Sequence, residues 1–219
     1  MTSTTKVFLV DDHPLVRESL ASLIERQPDL SVCGEADNPA EALAGIAVSR
    51  PDVAIVDLSL GERTGLDLIR DLKTSHPRVA VLVLSMHDEQ LYAERALRAG
   101  ARGYIMKREA TRNVILAIRR VREGRVVVSE ALAETLAARL VGGVSGGPDS
   151  PVATLSDREL EVFRLVGEGR TTRQIADTLH LSIKTVQAYY ARIKDKLGAG
   201  SANEMLREAI RWIEERGGV

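Results

Sequence analysis

Short apolar runs recur through the first half of the chain at residues 6–10, 30–34, 53–57, 79–84 and 102–106. Between them, over about 14–27, 39–49, 65–75, 88–99 and 109–123, apolar positions recur at helical spacing. A short continuous apolar run fits a strand buried on both faces, and strands that alternate with helices form βα units around a parallel sheet. The prolines agree with this division. Pro14 suits the first turn of a helix and Pro39 follows a capping Asn38, whereas Pro51 and Pro77 fall between helix and strand, where a helix must stop. The pattern predicts an α/β domain over residues 1–125, a flavodoxin-like doubly wound sheet of five parallel strands.

The pattern then changes. Residues 129–141 form an Ala-rich amphipathic stretch, followed by the Gly-, Ser- and Pro-rich run from Gly142 to Pro151. Together they predict a linker helix and a flexible connection over 126–151. Beyond it no strand signal remains. Ser156-Asp157-Arg158-Glu159 is a capping box before a helix reaching about Gly167. Thr171 or Thr172 caps a second helix ending near His180. Ser182 caps a third, stopped by Gly198, and a fourth spans about 202–215. Four short helices with a tight turn between the second and third predict an all-α helix-turn-helix domain over 152–219.

Composition narrows the classes. The chain has 219 residues, is 44% hydrophobic and carries a formal net charge of −1, so it has ample core-forming residues and is neither a polycation nor an acidic tail. Its one cysteine, Cys33, lies in an apolar run and reads as a small buried hydrophobe, which leaves no intrachain disulfide. The N-terminal residues Met1 to Thr5 are polar and lack the pattern of a signal peptide. The longest strongly apolar stretch, Val79 to Leu84, is too short to cross a bilayer. A soluble cytoplasmic protein is expected.

The chemistry gathers at the predicted strand ends. Ala54-Ile55-Val56-Asp57 delivers one carboxylate to a strand end, and Lys6 to Val10 ends in Asp11-Asp12. Parallel strands place their C-terminal ends along one edge, where ligands bind. Three carboxylates there are unfavourable without a cation, and hard oxygen donors suit Mg²⁺. Ser85 follows the fourth run and Lys107 the fifth. A hydroxyl, an ammonium and three acids suit phosphoryl chemistry. Asp57 is the nucleophile that forms an acyl phosphate, Asp11 or Asp12 holds Mg²⁺, and Lys107 and Ser85 meet the phosphoryl oxygens. His13 and His87 flank this pocket and read as loop residues, without the paired spacing of a zinc site.

Residues 6–125, with the Asp11-Asp12 pair, the lone Asp57, Ser85 and the Tyr104-x-x-Lys107 motif, resemble the receiver domain of bacterial two-component response regulators. The resemblance implies phosphorylation of Asp57 by a partner histidine kinase. It also implies Mg²⁺ on Asp12, Asp57 and the Ser59 carbonyl with Asp11 assisting, and a switch pair of Ser85 and Tyr104. The loop after Asp57 reads Leu-Ser-Leu-Gly, where the family usually has a Met-Pro pair, so Gly61 leaves that loop less rigid.

The segments 155–169, 172–186 and 193–198 resemble the LuxR-type helix-turn-helix, and the two halves together resemble the NarL/FixJ class of response regulators. Between Arg170 and Lys196 there are six basic residues and two acidic ones, a local excess of +4. On the third helix Ile183, Val186, Ile193 and Leu197 follow the core spacing, which turns Lys184, Gln187, Ala188, Ala191 and Arg192 outward. Gln and Arg read purine edges and Ala meets a thymine methyl. With Thr172, Arg173, Thr185 and Lys196 these form the expected contacts to the DNA major groove. Tyr189 and Tyr190 either pack or bind phosphate. The expected protein is a phosphorylation-controlled transcription factor, a homodimer when phosphorylated, and not an enzyme. The rival is a regulator of the same architecture that needs no phosphate. An aspartyl phosphatase would want an acid where Ser59 stands. A flavin protein would be repelled by Asp11-Asp12.

Overall fold

The computed structural model describes residues 4–60, 63–142 and 151–214. The predicted connection from Gly143 to Ser150, Gly61 in the loop after Asp57, the N-terminal residues Met1 to Ser3 and the predicted helix end at Glu215 lie outside the described residues. Contacts divide the chain into two compact units, Met1–Leu136 and Ala137–Val219.

The first unit is built on five parallel strands in the order β2-β1-β3-β6-β7: β1 (Thr5–Val10), β2 (Leu30–Ala36), β3 (Val53–Val56), β6 (Ala80–Ser85) and β7 (Gly103–Met106). That order reverses direction between β1 and β3, the switch point at which doubly wound sheets bind ligands. Helices α1 (Pro14–Glu25), α2 (Pro39–Ser49), α3 (Gly65–Ser75), α4 (Glu89–Ala99) and α5 (Ala110–Arg122) connect the strands. The start signals act as the sequence predicts: Asn38, Thr64 and Asp88 each accept a backbone N–H from the first turn of α2, α3 and α4. β3 and β6 are buried along their whole length, as strands covered on both faces must be.

Two features were not anticipated. β4 (Ser59–Leu60) and β5 (Arg63–Thr64) pair antiparallel as a small hairpin directly after Asp57. Two-residue strands carry no periodicity to detect. The second feature is a strap after α5. Val127 forms a parallel bridge to Gly103, its carbonyl accepts from Tyr104 N at 2.8 Å and its N–H donates to the Arg102 carbonyl at 2.9 Å. Ser129 N donates to Glu89 at the start of α4 at 2.8 Å, and α6 (Glu130–Gly142) begins there with Leu132 buried. Residues 126–136, expected to belong to the connecting segment, therefore pack on the β7 edge of the first unit and satisfy backbone groups that an edge strand otherwise exposes.

The second unit contains α7 (Asp157–Gly167), α8 (Thr172–Thr178), α9 (Ile183–Leu197) and α10 (Ala202–Glu214). Complete capping boxes start α7, from Ser156 and Glu159, and α8, from Thr171 and Gln174; the cap of α8 is therefore Thr171 and not Thr172. Phe163, Ile175, Val186, Ile193 and Ala209 are fully buried, and Trp212 meets Phe163 edge-on with ring centroids 5.7 Å apart. Ile183 departs from its expected core position. It is 48% exposed, because it occupies the first turn of α9, beyond the reach of the neighbouring helices. Among the described residues no helix is long and apolar enough to cross a membrane.

Gly65 fixes how α3 meets the acidic loop. A Cβ there would lie 2.0 Å from the Asp57 carbonyl oxygen and 2.8 Å from Leu58 Cα, both backbone atoms that cannot rotate away. Helix propensity alone would make Gly65→Ala stabilising by up to about 1 kcal/mol. The clash predicts the opposite, a loss of about 1–3 kcal/mol or more. Urea unfolding decides between them by the sign of the change.

Candidate functional site

The sheet register brings the acids together. Asp57 N donates to the Val10 carbonyl at 2.9 Å, which sets the end of β3 beside the end of β1 and Asp57 next to Asp11 and Asp12. Asp11 and Asp57 are almost fully buried, at 3% and 2% exposure. Lys107, one residue past β7, places its ammonium 2.7 Å from Asp11 Oδ2 and 2.7 Å from Asp57 Oδ2. One cation thus holds two buried carboxylates, and among the described residues Asp57 Oδ1 is buried without a hydrogen-bond partner. An orphaned carboxylate oxygen in a buried site is costly, and it marks a place built to receive a ligand.

Burial raises the Asp57 carboxyl to a pKa of about 6, against the opposing pull of the Lys107 charge and its hydrogen bond. Lys107 is itself desolvated, but the two carboxylates outweigh that and hold its pKa above the usual lysine range. Atoms of Asp11, Asp12, His13 and Asp57 suited to a metal ion lie within 4.8 Å of one another. His13, expected to be an ordinary loop residue, has Nδ1 2.6 Å from Asp12 Oδ1, and its N–H donates to Asp11.

The remaining predicted residues line the same edge. Ser85 is fully buried and its Oγ accepts from His87 N at 3.2 Å. Tyr104 is turned inward at 1% exposure and donates to the His87 carbonyl at 2.8 Å; burial pushes its phenol above the usual tyrosine range. His87 also lies on the Tyr92 ring at 4.6 Å and shares a hydrogen bond with Ser59 Oγ at 3.0 Å. The family resemblance places Ser59 and His87, two positions beyond Asp57 and Ser85, at the border of the phosphoryl group, and the structure joins His87 to Ser59, Ser85 and Tyr104.

In the second unit Arg173, Lys184, Gln187, Ala188, Ala191 and Arg192 are exposed, as the outward set predicts, and Thr172 and Thr185 are half-buried. Arg192 lies over the Tyr189 ring at 5.7 Å. Thr172 donates to the Tyr190 hydroxyl at 3.5 Å, so Tyr190 has a packing partner on α8. Lys196 is exposed as well, but its ammonium is 2.6 Å from the buried Glu159 carboxylate at the start of α7.

Comparison with known proteins agrees with this geometry. Residues 7–119 match the response regulator receiver domain, and residues 153–209 match the bacterial regulatory proteins of the luxR family. The chain is 38% identical over 193 residues to the DNA-binding transcriptional activator DevR/DosR of Mycobacterium tuberculosis, covering 88% of each chain. It is 35% identical over 213 residues to the oxygen regulatory protein NreC of Staphylococcus epidermidis, covering 94% of this chain and 97% of that one. Among solved structures, the RcsB response regulator of Salmonella typhimurium is similar with a TM-score of 0.64 and 26% identity, over 95% of this chain and 98% of that one.

The raised Asp57 pKa carries a stability prediction. An acid that binds its proton more tightly when folded favours folding below its unfolded value of 3.8, and that contribution is lost as pH rises through about 6. The rise from 3.8 to about 6 corresponds to roughly 3 kcal/mol. Asp57→Asn, which cannot ionise, is expected to match the unsubstituted chain at about pH 4 and to exceed its stability by up to roughly 3 kcal/mol near pH 8. Urea unfolding over that range, in buffer free of divalent cations, measures the difference.

Proposed function

Because the chain belongs to the response regulators that join a receiver domain to a LuxR-type DNA-binding domain, the NarL/FixJ class, we propose that it is switched by phosphorylation of Asp57 by a partner histidine kinase. The family regulates transcription by binding DNA and is not a family of enzymes. The reading is carried by one observation: Asp57 Oδ2 is held by Lys107, while Oδ1 is buried and has no hydrogen-bond partner among the described residues. Oδ1 supplies the electron pair for the new bond to phosphorus, and the bond from phosphorus to the donor, a phosphohistidine nitrogen on the kinase, breaks. Lys107 remains as the fixed charge for the phosphoryl oxygens, and the Ser85 hydroxyl is the hydrogen-bond donor on the neighbouring strand end.

The residues fit Mg²⁺, since Asp11, Asp12 and Asp57 supply hard oxygens from one cluster. Those three, with the Ser59 carbonyl, would hold it, and when bound it neutralises charge between the carboxylates and an incoming phosphoryl group. Ser85 and Tyr104 are the switch pair, read here with Tyr104 inward. Residues 1–125 act as the receiver, 126–151 as the connection and 152–219 as the DNA reader. The protein works in the cytoplasm.

On DNA, α9 is the recognition helix and enters the major groove, with Gln187 and its neighbours toward base edges. A homodimer supplies two half-sites. The apolar face of the last helix, Met205, Leu206, Ala209, Ile210 and Ile213, is the dimer contact; Met205 and Ala209 are buried in its own domain, so only part of that face, including Ile210 at 39% exposure, is spare.

Asp57→Ala is expected to abolish labelling by acetyl phosphate with Mg²⁺, read as lost mobility shift on a phosphate-binding gel; label retained on another residue would refute the assignment. On DNA, Gln187→Ala is expected to change preference at one base position, costing about 1–3 kcal/mol for the preferred base. Arg173→Ala is expected to weaken binding to all sequences alike and to flatten the log–log salt dependence by about one unit. The reverse pattern, with Arg173→Ala altering base preference, would show the motif to be oriented the other way.

A further inference from the structure

Among the described residues, Lys196 is the expected DNA contact that pairs with a buried acid. It stands in the last turn of α9, and its ammonium donates to Glu159 Oε2 at 2.6 Å and to the Thr154 carbonyl at 3.2 Å. Glu159 is 3% exposed and is the capping-box residue of α7: the same oxygen accepts from Ser156 N at 2.7 Å, and Glu159 N donates to Ser156 Oγ. Three pieces of the second unit therefore converge on one ammonium: the helical turn Pro151–Thr154, the start of α7 and the end of α9. Burial alone would raise the Glu159 carboxyl, but the Lys196 hydrogen bond and those from Ser156 outweigh it and hold the group below the usual range.

This geometry does something the apolar core of the domain cannot. Val186 and Ile193 are fully buried and fix how closely α9 approaches α7 and α8. Apolar contact is non-directional, so it tolerates a small slide or tilt of the helix. A hydrogen-bonded ion pair does not: Lys196 is 39% exposed, but the Glu159 carboxylate it meets is buried, and fixing one geometry among near-equal alternatives is a role such pairs can serve. Nine residues separate Lys196 from Gln187, about 13 Å along the helix axis, so a tilt of about 5° at the clamp moves Gln187 by about 1 Å.

We infer that Lys196 is a positioning residue for DNA reading: through its ion pair with Glu159 it sets the pose of α9, and it does not contact the phosphate backbone. The inference rests on the reading of α9 as the recognition helix. Gln187→Ala, run alongside, tests that reading separately, since loss of base preference there is independent of the clamp.

The test compares the affinity of the full chain for two duplexes, one selected from a randomised pool with the unsubstituted protein and one of random sequence, each as a function of salt. Lys196→Met and Glu159→Gln are each expected to lower the ratio of selected to random affinity about tenfold, roughly the worth of one base contact, with the salt slope unchanged. Lys196→Arg, which can still reach the carboxylate, is expected to restore most of that ratio. Should either single variant unfold, the double variant Glu159→Gln/Lys196→Met leaves no lone buried charge and takes the same measurement with the same expectation. A salt slope flattened by about one unit in Lys196→Met, with Glu159→Gln binding like the unsubstituted chain, would put the ammonium on a phosphate and overturn the inference. An unchanged ratio in the folded double variant would overturn it equally.

Discussion

Two carboxylates buried within reach of one ammonium are the constraint around which the first unit is arranged. Asp11 and Asp57 are buried side by side, and Lys107 meets both carboxylates from the end of β7. That arrangement requires three strand ends at one edge, in register. The bond from Asp57 N to the Val10 carbonyl sets two of them, and the pairing of β6 with β7 carries Lys107 to the third. It also requires α3 to start without a side chain at Gly65, where the backbone of Asp57 passes. The compensation is incomplete by construction. Asp57 keeps a raised pKa and, among the described residues, one oxygen without a partner, so the folded chain holds an electrostatic cost that a cation would relieve.

Around that centre runs a continuous set of polar contacts. Ser85 accepts from His87 N, the His87 carbonyl holds Tyr104, and the His87 ring meets Ser59 beside Asp57. The backbone of Tyr104 then donates to Val127 in the strap, and Glu89 of α4 holds Ser129 at the start of α6. Each contact is an ordinary hydrogen bond worth about 1 kcal/mol net. Their joint effect is that the strap is ordered by the same residues that border the acidic pocket.

The second unit solves a different problem, presenting one helix with a defined pose. The capping boxes at Ser156 and Thr171 satisfy exposed helix starts locally, and the packing of Trp212 on Phe163 ties the last helix to the first. Glu159 serves both needs, as capping residue of α7 and as anchor for Lys196 at the end of α9.

Sequence alone determined the order of strands and helices, their caps, and the gathering of Asp11, Asp12, Asp57, Ser85 and Lys107 at one sheet edge. Those features are local or periodic: an apolar run ending in an acid states where that acid stands, because parallel strands share an edge. Tertiary structure decided what depends on partners distant in the chain. It paired Lys196 with Glu159, left Ile183 exposed, joined the His13 ring to Asp12 and the His87 ring to Ser59, and laid residues 126–136 along β7. A helical period says which residues share a face, but a long flexible side chain such as lysine follows whichever charge lies nearest. The nearest charge is Glu159, 37 residues away, and only the packing of α9 on α7 brings it within reach.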